Sequence, residues 1–340
     1  MTITARVVHQ VARPSGFPSA DDFAFTEQQL AAPAPGEALV ENLLLSVDPY
    51  HRELMDEAGL TSGAVSWGLG SPLEGRSIGR VLTSADPALA PGDLVYHRAG
   101  WRTHALVRAD AVRVLPRYDG VPTTAFLSVL GGTGLTAWVA LTRTLQLRPG
   151  TDLFVSAAAG GVGTAAGQLA RLLGARRIIG SAGSPAKVER LVKELGFDEA
   201  FDYHDGPVSS LLAQAAPDGL DATVENVGGD HLEAAIGSLR PFGRIAWVGA
   251  VAQYHSLGSP PPAPRNLFDV VGKSLRLEGV MVRNHLDAQA ELEDFAVPHI
   301  RSGALVPQET VVEGFENTVE AFLGMLRGRN TGKMIVRVGT

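Results

Sequence analysis

The chain of 340 residues contains no cysteine and only four lysines against 25 arginines. The missing cysteine excludes disulfides, thiolate nucleophiles and cysteine-ligated zinc together. A metal site would need His, Asp and Glu alone. The nine histidines show no short ligand spacing such as HxH or HExxH, His97 and His104 being the nearest pair after a possible strand, so no metal site is expected. The longest apolar runs fall well short of the roughly 18 residues a membrane span needs, so no membrane association is expected. The start, Met1 to Val8, lacks a basic segment followed by an apolar core; no signal peptide is expected and a cytoplasmic location is the default. A net charge of −7 argues against a broad nucleic-acid surface. Internal repeats are absent. No nucleophile-and-base constellation is evident either: Ser156 precedes Ala157 rather than sitting in a G-x-S-x-G elbow, and no paired carboxylates stand at a credible spacing. A cofactor must then supply the hard chemistry.

What is present reads as two globular domains. Hydrophobic residues make up 45% and charged ones 19%, an ordinary globular balance. Up to about residue 125, short β-type runs (5–9, 37–45, 78–83, 94–97, 105–107) alternate with Pro and Gly punctuation, which predicts a compact β-rich domain. After Thr123 the pattern becomes a long alternation. Strands are predicted at 152–156, 177–181, 199–202, 222–225 and 244–248, with helices near 137–145, 163–173, 185–195, 208–215 and 230–238. The fold class implied is α/β, with a parallel, doubly wound Rossmann sheet. Residues 258–264, Gly-Ser-Pro-Pro-Pro-Ala-Pro, read as a stiff extended loop. A helix near 315–327 and a strand at 333–338 end the chain, and this tail is a candidate to return to the first domain.

The stretch Leu153 to Gly167 reads as a buried strand, a tight glycine turn and a helix. Within it, Ala158-Ala159-Gly160-Gly161-Val162-Gly163 is an A-x-G-x-x-G variant of the dinucleotide fingerprint. Gly160 permits close approach of backbone to a pyrophosphate, and Gly163 and Gly167 let the helix pack on its strand. The next predicted strand ends in Ala182-Gly183-Ser184, with no carboxylate where an NAD site holds its ribose. Ser184, Lys187 and Tyr203 instead offer a hydroxyl, an ammonium and a phenol for a 2′-phosphate, which points to NADP. A helix-entry lysine and a strand-end tyrosine also occur without any such role. Asn226 and Tyr254 follow the fourth and fifth predicted strands of this alternation, on the side where open parallel sheets bind ligands. Glu225 is readable as an acid or as a structural strand terminus. A neutral Tyr254 phenol suits donation to a carbonyl oxygen on which negative charge develops.

Taken in order, Ser46-Val47-Asp48-Pro49-Tyr50-His51-Arg52, Gly134-Leu135-Thr136-Ala137-Trp138, the glycine turn, Glu225-Asn226-Val227-Gly228 and Asn330-Thr331-Gly332-Lys333 resemble the zinc-independent medium-chain dehydrogenase/reductases. The branch is that of prostaglandin reductases, leukotriene hydroxydehydrogenases and alkenal double-bond reductases. The G-H-E segment of zinc alcohol dehydrogenases is replaced by Leu73-Glu74-Gly75-Arg76-Ser77-Ile78-Gly79. The resemblance implies a GroES-like catalytic domain of residues 1–127 and 304–340, a Rossmann domain of 128–303, and a tendency to form homodimers. It implies NADPH-dependent reduction of an activated carbon–carbon double bond in an enal or enone. Gly160, Gly161, Val162 and Gly163 would meet the pyrophosphate, and Lys187 and Tyr203 the 2′-phosphate. Asn226, Gly249, Val282 and Asn330 would line ribose and nicotinamide. Tyr254 would polarise the substrate carbonyl and Tyr50 would line the substrate pocket. His51 stands where the family has Met and Val280 where it often has Phe, so both are expected to reshape that pocket. A quinone reductase and a nonenzymatic NADPH-binding protein are the rival readings.

Overall fold

The computed structural model describes residues 2–57, 66–254 and 263–339. Most of the Pro-rich stretch 258–264 lies outside them. The chain divides into two compact units, residues 1–119, 310–330 and 334–340 forming one and residues 120–309 with 331–333 the other. The first is discontinuous, with limits at 119 and 310 where the sequence places them at 127 and 304.

The first unit opens with β1 (Ile3–Gln10) and β2 (Phe23–Leu30), an antiparallel pair. Next come β3 (Glu37–Val47), the one-turn helix α1 (His51–Leu54), β4 (Ser77–Ser84), β5 (Leu94–His97), β6 (His104–Arg108) and β7 (Arg113–Val114). β3 is buried or half-buried along its whole length, and β4 and β6 both pair with it. A core of Trp67, Trp101, Phe315, Phe322, Met55 and Leu73 fills this unit.

The second unit begins with α2 (Gly132–Val139), prolonged by a π turn at Ala140–Thr144. It then alternates β8 (Asp152–Val155), α3 (Gly161–Leu172), β9 (Arg177–Ala182), α4 (Pro185–Glu194), β10 (Glu199–Asp202), α5 (Val208–Ala215), β11 (Leu220–Glu225), α6 (Gly229–Ser238) and β12 (Leu239–Trp247). After α7 (Phe268–Gly272) comes β13 (Arg276–Gly279), and α8 (Gln289–Arg301) completes the series. Among the described residues the sheet runs β10-β9-β8-β11-β12-β13 and is parallel throughout. The order reverses between β8 and β11. That switch point opens a crevice at the carboxyl ends of the strands. β8 is buried at every position, as a central parallel strand covered on both faces requires.

The chain returns to the first unit through β14 (Glu309–Glu313), α9 (Thr318–Leu326) and β15 (Lys333–Arg337). β15 pairs antiparallel with β3, Met334 facing Val47. The GroES-like sheet thus runs β14-β15-β3-β4-β5-β7, with β6 also on β3.

Candidate cofactor and active site

The glycine turn takes its shape from backbone sterics. Ala157 leaves β8 with φ at 47°, and its N–H and that of Ala158 donate to Ser181 at the end of β9. Gly160 is the N-cap of α3 and carries no capping side chain, so the first-turn N–H groups open toward the crevice. A Cβ on Gly163 would stand 2.5 Å from Ala157 O and 2.6 Å from Ala158 Cα. Only glycine lets α3 pass so close to the turn. Gly332 N–H donates to Ala159 O at 2.8 Å, and Gly160 and Gly332 form a parallel bridge, so residues 331–333 brace the turn from outside.

At the end of β9, Ser184 caps α4 by accepting from Lys187 N–H. The half-buried Lys187 ammonium has its pKa lowered by burial. Tyr203 directly follows β10, and its N–H donates to Ala182 O at 3.0 Å. Its hydroxyl would stand 2.6 Å from a Cβ on Gly183, so the Gly183 backbone and the phenol meet at one spot. Ser184, Lys187 and Tyr203 therefore lie beside the carboxyl end of β9, which itself ends without a carboxylate; Asp202 of β10 pairs with Ala182 there and accepts from His204 N–H. This donor set suits an anionic group on a ribose.

Across the switch point Ser156 and Asn226 lash β8 to β11. Asn226 N–H donates to Ser156 Oγ at 2.7 Å, and the Asn226 amide donates to Ser156 O at 2.7 Å. Glu225 is fully buried, and its Oε1 accepts from the N–H groups of Val227 and Gly228 at 2.7 and 2.8 Å. Burial pushes its carboxyl up to about 7, against the pull of those two N–H groups and of Ser156. Glu225 shapes the turn into α6. Of its two sequence readings, the structural one matches this geometry.

The loop after β12 folds onto the loop after β11, since Val251 N–H and Ala252 N–H donate to Asn226 O and Val227 O. This carries the half-buried Tyr254 back over the strand ends. A Cβ on Gly249 would lie 3.6 Å from the Tyr254 hydroxyl and 3.2 Å from Asn226 O. Tyr254, Gly249 and Asn226 are thus brought together. Val282 lies in a single turn just beyond β13, half-buried, and Val280 donates its N–H to Trp247 O. Asn330 closes the 310–330 segment of the first unit.

In that first unit Tyr50 and His51 sit at the start of α1. His51 has no exposed surface. Its ring centroid lies 4.5 Å from Tyr50, 5.2 Å from Trp67 and 5.4 Å from Trp101, filling the aromatic core. Val280 is likewise buried. Ser156, Ser181 and Gly332 hold the site's backbone in place but were not assigned such roles from sequence. Their partners lie far along the chain, and only the pairing of strands brings them close.

Two family models match the chain, one described as the N-terminal domain of oxidoreductase over residues 6–115 and one as zinc-binding dehydrogenase over residues 161–299. Among curated relatives, the 2-alkenal reductase (NADP(+)-dependent) of Nicotiana tabacum is 34% identical over 95% of this chain and 94% of that protein. Prostaglandin reductase 1 of Mus musculus is 38% identical over 95% of each. Among solved structures, CurA from Vibrio vulnificus superposes with a TM-score of 0.91 at 31% identity, covering 99% of both chains. A structure of CurA with NADPH gives 0.90 at 30% identity, covering 98% of this chain and 99% of that one. The glycine turn, the switch-point crevice and these full-length likenesses agree: the chain belongs to the medium-chain dehydrogenase/reductase family, in the branch that holds the 2-alkenal and prostaglandin reductases.

Proposed function

We propose that this protein is an NADPH-dependent reductase of the carbon–carbon double bond in α,β-unsaturated aldehydes and ketones. The observation that carries the reading is the meeting of Tyr254, Gly249 and Asn226 at the carboxyl ends of the strands, beside an open glycine turn. When bound, NADPH supplies the hydride that goes to the β-carbon of the substrate. Gly160, Gly161, Val162 and Gly163 hold the pyrophosphate through backbone N–H groups. Ser184, Lys187 and Tyr203 take the 2′-phosphate. Asn226, Gly249, Val282 and Asn330 line the ribose and nicotinamide. The Tyr254 hydroxyl donates to the substrate carbonyl as charge builds on its oxygen, and Tyr50 lines the substrate pocket.

No zinc enters this reading. Among the described residues no group of three or more His, Asp or Glu is placed to hold a metal ion, and the chain has no cysteine. No helix among them is long and apolar enough to cross a membrane. Self-association suits β13, the outer strand of the Rossmann sheet, because Phe242 and Phe268 nearby are 77% and 81% exposed. The deciding experiment is NADPH oxidation measured over enals, cyclic enones and quinones. Faster turnover of enals and enones supports the reading, and a preference for quinones replaces it with the quinone reductase. Tight NADPH binding with no oxidation on any of the three reduces the protein to a cofactor-binding one.

A further inference from the structure

Tyr203 is poorly placed to hold one pose by itself. Among the described residues β10 is an outer strand of the Rossmann sheet, four residues long and paired with β9 alone. Tyr203 stands just past it and is exposed, its N–H bonded to Ala182 O. A phenol on such a loop has several rotamers open to it, and fixing one of them costs free energy when a ligand binds. Its hydroxyl nevertheless sits 2.6 Å from where a Cβ on Gly183 would stand.

Two imidazoles flank the ring. His204 lies 4.3 Å away between centroids, with its Nδ1 at 2.9 Å from Asp202 Oδ1. It shares the backbone of the same loop and cannot fix that loop from outside. His231 comes from a different element. It sits buried in the first turn of α6, where its N–H donates to Gly228 O at 3.1 Å. α6 is itself anchored, since Leu232 and Ala235 share a core with Val208 and Leu212 of α5. The His231 ring stands nearly perpendicular to that of Tyr203, at 79° and 5.5 Å between centroids.

The polarity of His231 needs a reason. Its Nε2 is buried and has no hydrogen-bond partner among the described residues. Burial lowers its pKa to about 4, against the pull of Asp230, so the ring is neutral near pH 7. Leucine or phenylalanine would fill such a place without burying an unsatisfied nitrogen. The perpendicular arrangement offers the imidazole an aromatic partner, through the weak N–H···π contact of a T-shaped pair.

We infer that His231 is the positioning residue of the 2′-phosphate site: its imidazole packs at a right angle to Tyr203 and holds the phenol at the Gly183 backbone, ready to donate to the phosphate. The inference rests on the reading that Tyr203 takes the 2′-phosphate, and it deepens that reading by naming what preorganises the donor. His231 acts through Tyr203 alone. Its contribution therefore falls on NADPH and spares NADH, which has no phosphate to receive the bond.

The test compares Kd for NADPH and for NADH, by fluorescence titration, in the wild type and in variants at both positions. A hydrogen bond to a charged group predicts that Tyr203→Phe lowers the preference for NADPH about tenfold. His231→Leu and His231→Gln, which lack a ring, should each lower it about threefold or more through Kd for NADPH, with Kd for NADH hardly moved. His231→Phe keeps a ring edge against Tyr203 and should restore most of the preference. In the Tyr203→Phe background His231→Leu should change nothing further, because no hydroxyl remains to be placed. Variants at 231 that weaken NADPH and NADH alike reveal a merely structural role and overturn the inference. So does a His231→Leu effect that persists in full without the Tyr203 hydroxyl. If Tyr203→Phe cuts the preference while His231→Leu and His231→Gln leave it intact, the assignment of Tyr203 stands and the inference alone falls. If Tyr203→Phe leaves the preference intact, the assignment falls and takes the inference with it.

Discussion

At the amino ends of the Rossmann strands, a group of charges pairs with charges of opposite sign. Asp152 at the start of β8 accepts from Arg176 Nε at 2.8 Å and from Arg240 at 2.8 Å, and Arg240 reaches Asp221 at 2.7 Å. Arg171 pairs with Asp198 and Arg177 with Glu199 in the same region. At the carboxyl ends of the same sheet the materials are different: bare backbone at Gly160 and Gly183, a half-buried ammonium at Lys187, a phenol at Tyr254 and a buried carboxyl at Glu225. One end carries a network of ion pairs, and the other carries glycine backbone, an ammonium, a phenol and a buried carboxyl. Stability and ligand chemistry are therefore separated along one sheet, and substitutions at the two ends should move different observables.

The largest effect is expected at the open end. Tyr254→Phe removes the donor to the developing oxyanion and should lower kcat by about 10²–10³, equivalent to roughly 3–4 kcal/mol. NADPH affinity and melting temperature should hardly change. Steady-state enone kinetics with a fluorescence titration of NADPH check both halves.

At the closed end Asp152→Asn should do the reverse, costing roughly 2 kcal/mol in stability with kcat/KM preserved. Burial raises the Asp152 pKa, but Arg176 and Arg240 outweigh it, so the folded value is depressed. The stability it confers is present above the ordinary carboxylate pKa and is lost as pH falls through the depressed one. Urea unfolding near pH 7 and again at the acid edge should show the Asn variant's deficit shrinking on acidification.

Lys187→Ala should raise the KM for NADPH about tenfold while leaving that for NADH nearly unchanged, since only the phosphate needs the ammonium. Equal use of both cofactors by the wild-type enzyme would remove the basis of that assignment.

Glu225 gives the smallest effect at neutral pH and the most distinctive profile. Its folded pKa of about 7 lies above the ordinary carboxylate value, so the folded protein holds that proton more tightly. Its stabilising contribution is full in acid and declines as pH rises from about 4.5 through 7. Glu225→Gln should flatten that decline, read by thermal melts across the interval.

The alternation of apolar strands with helices made the Rossmann unit legible from sequence, and the glycine turn located its ligand side. β13 escaped because it is an edge strand, short and exposed, without the apolar run that marks β8. β2 escaped for a related reason: between Phe23 and Leu30 it is largely exposed and polar. α8 was hidden by the acidic residues and Pro298 within it. Tyr254, Lys187 and Tyr203 became candidates from their places after strands. The lashing of Ser156 to Asn226 and of Ala159 to Gly332 was not visible, because it joins residues far apart in the chain. The burial of His51 was invisible for the same reason, since Trp67, Trp101 and Phe322 reach it from three separate segments.

The most direct test of the open end's chemistry follows the hydride itself. The enzyme is incubated with an enone and NADPH deuterated at the nicotinamide C4, and the product is read by proton and deuterium NMR. The account predicts a saturated ketone with deuterium on the β-carbon. An allylic alcohol carrying deuterium on the former carbonyl carbon would contradict it.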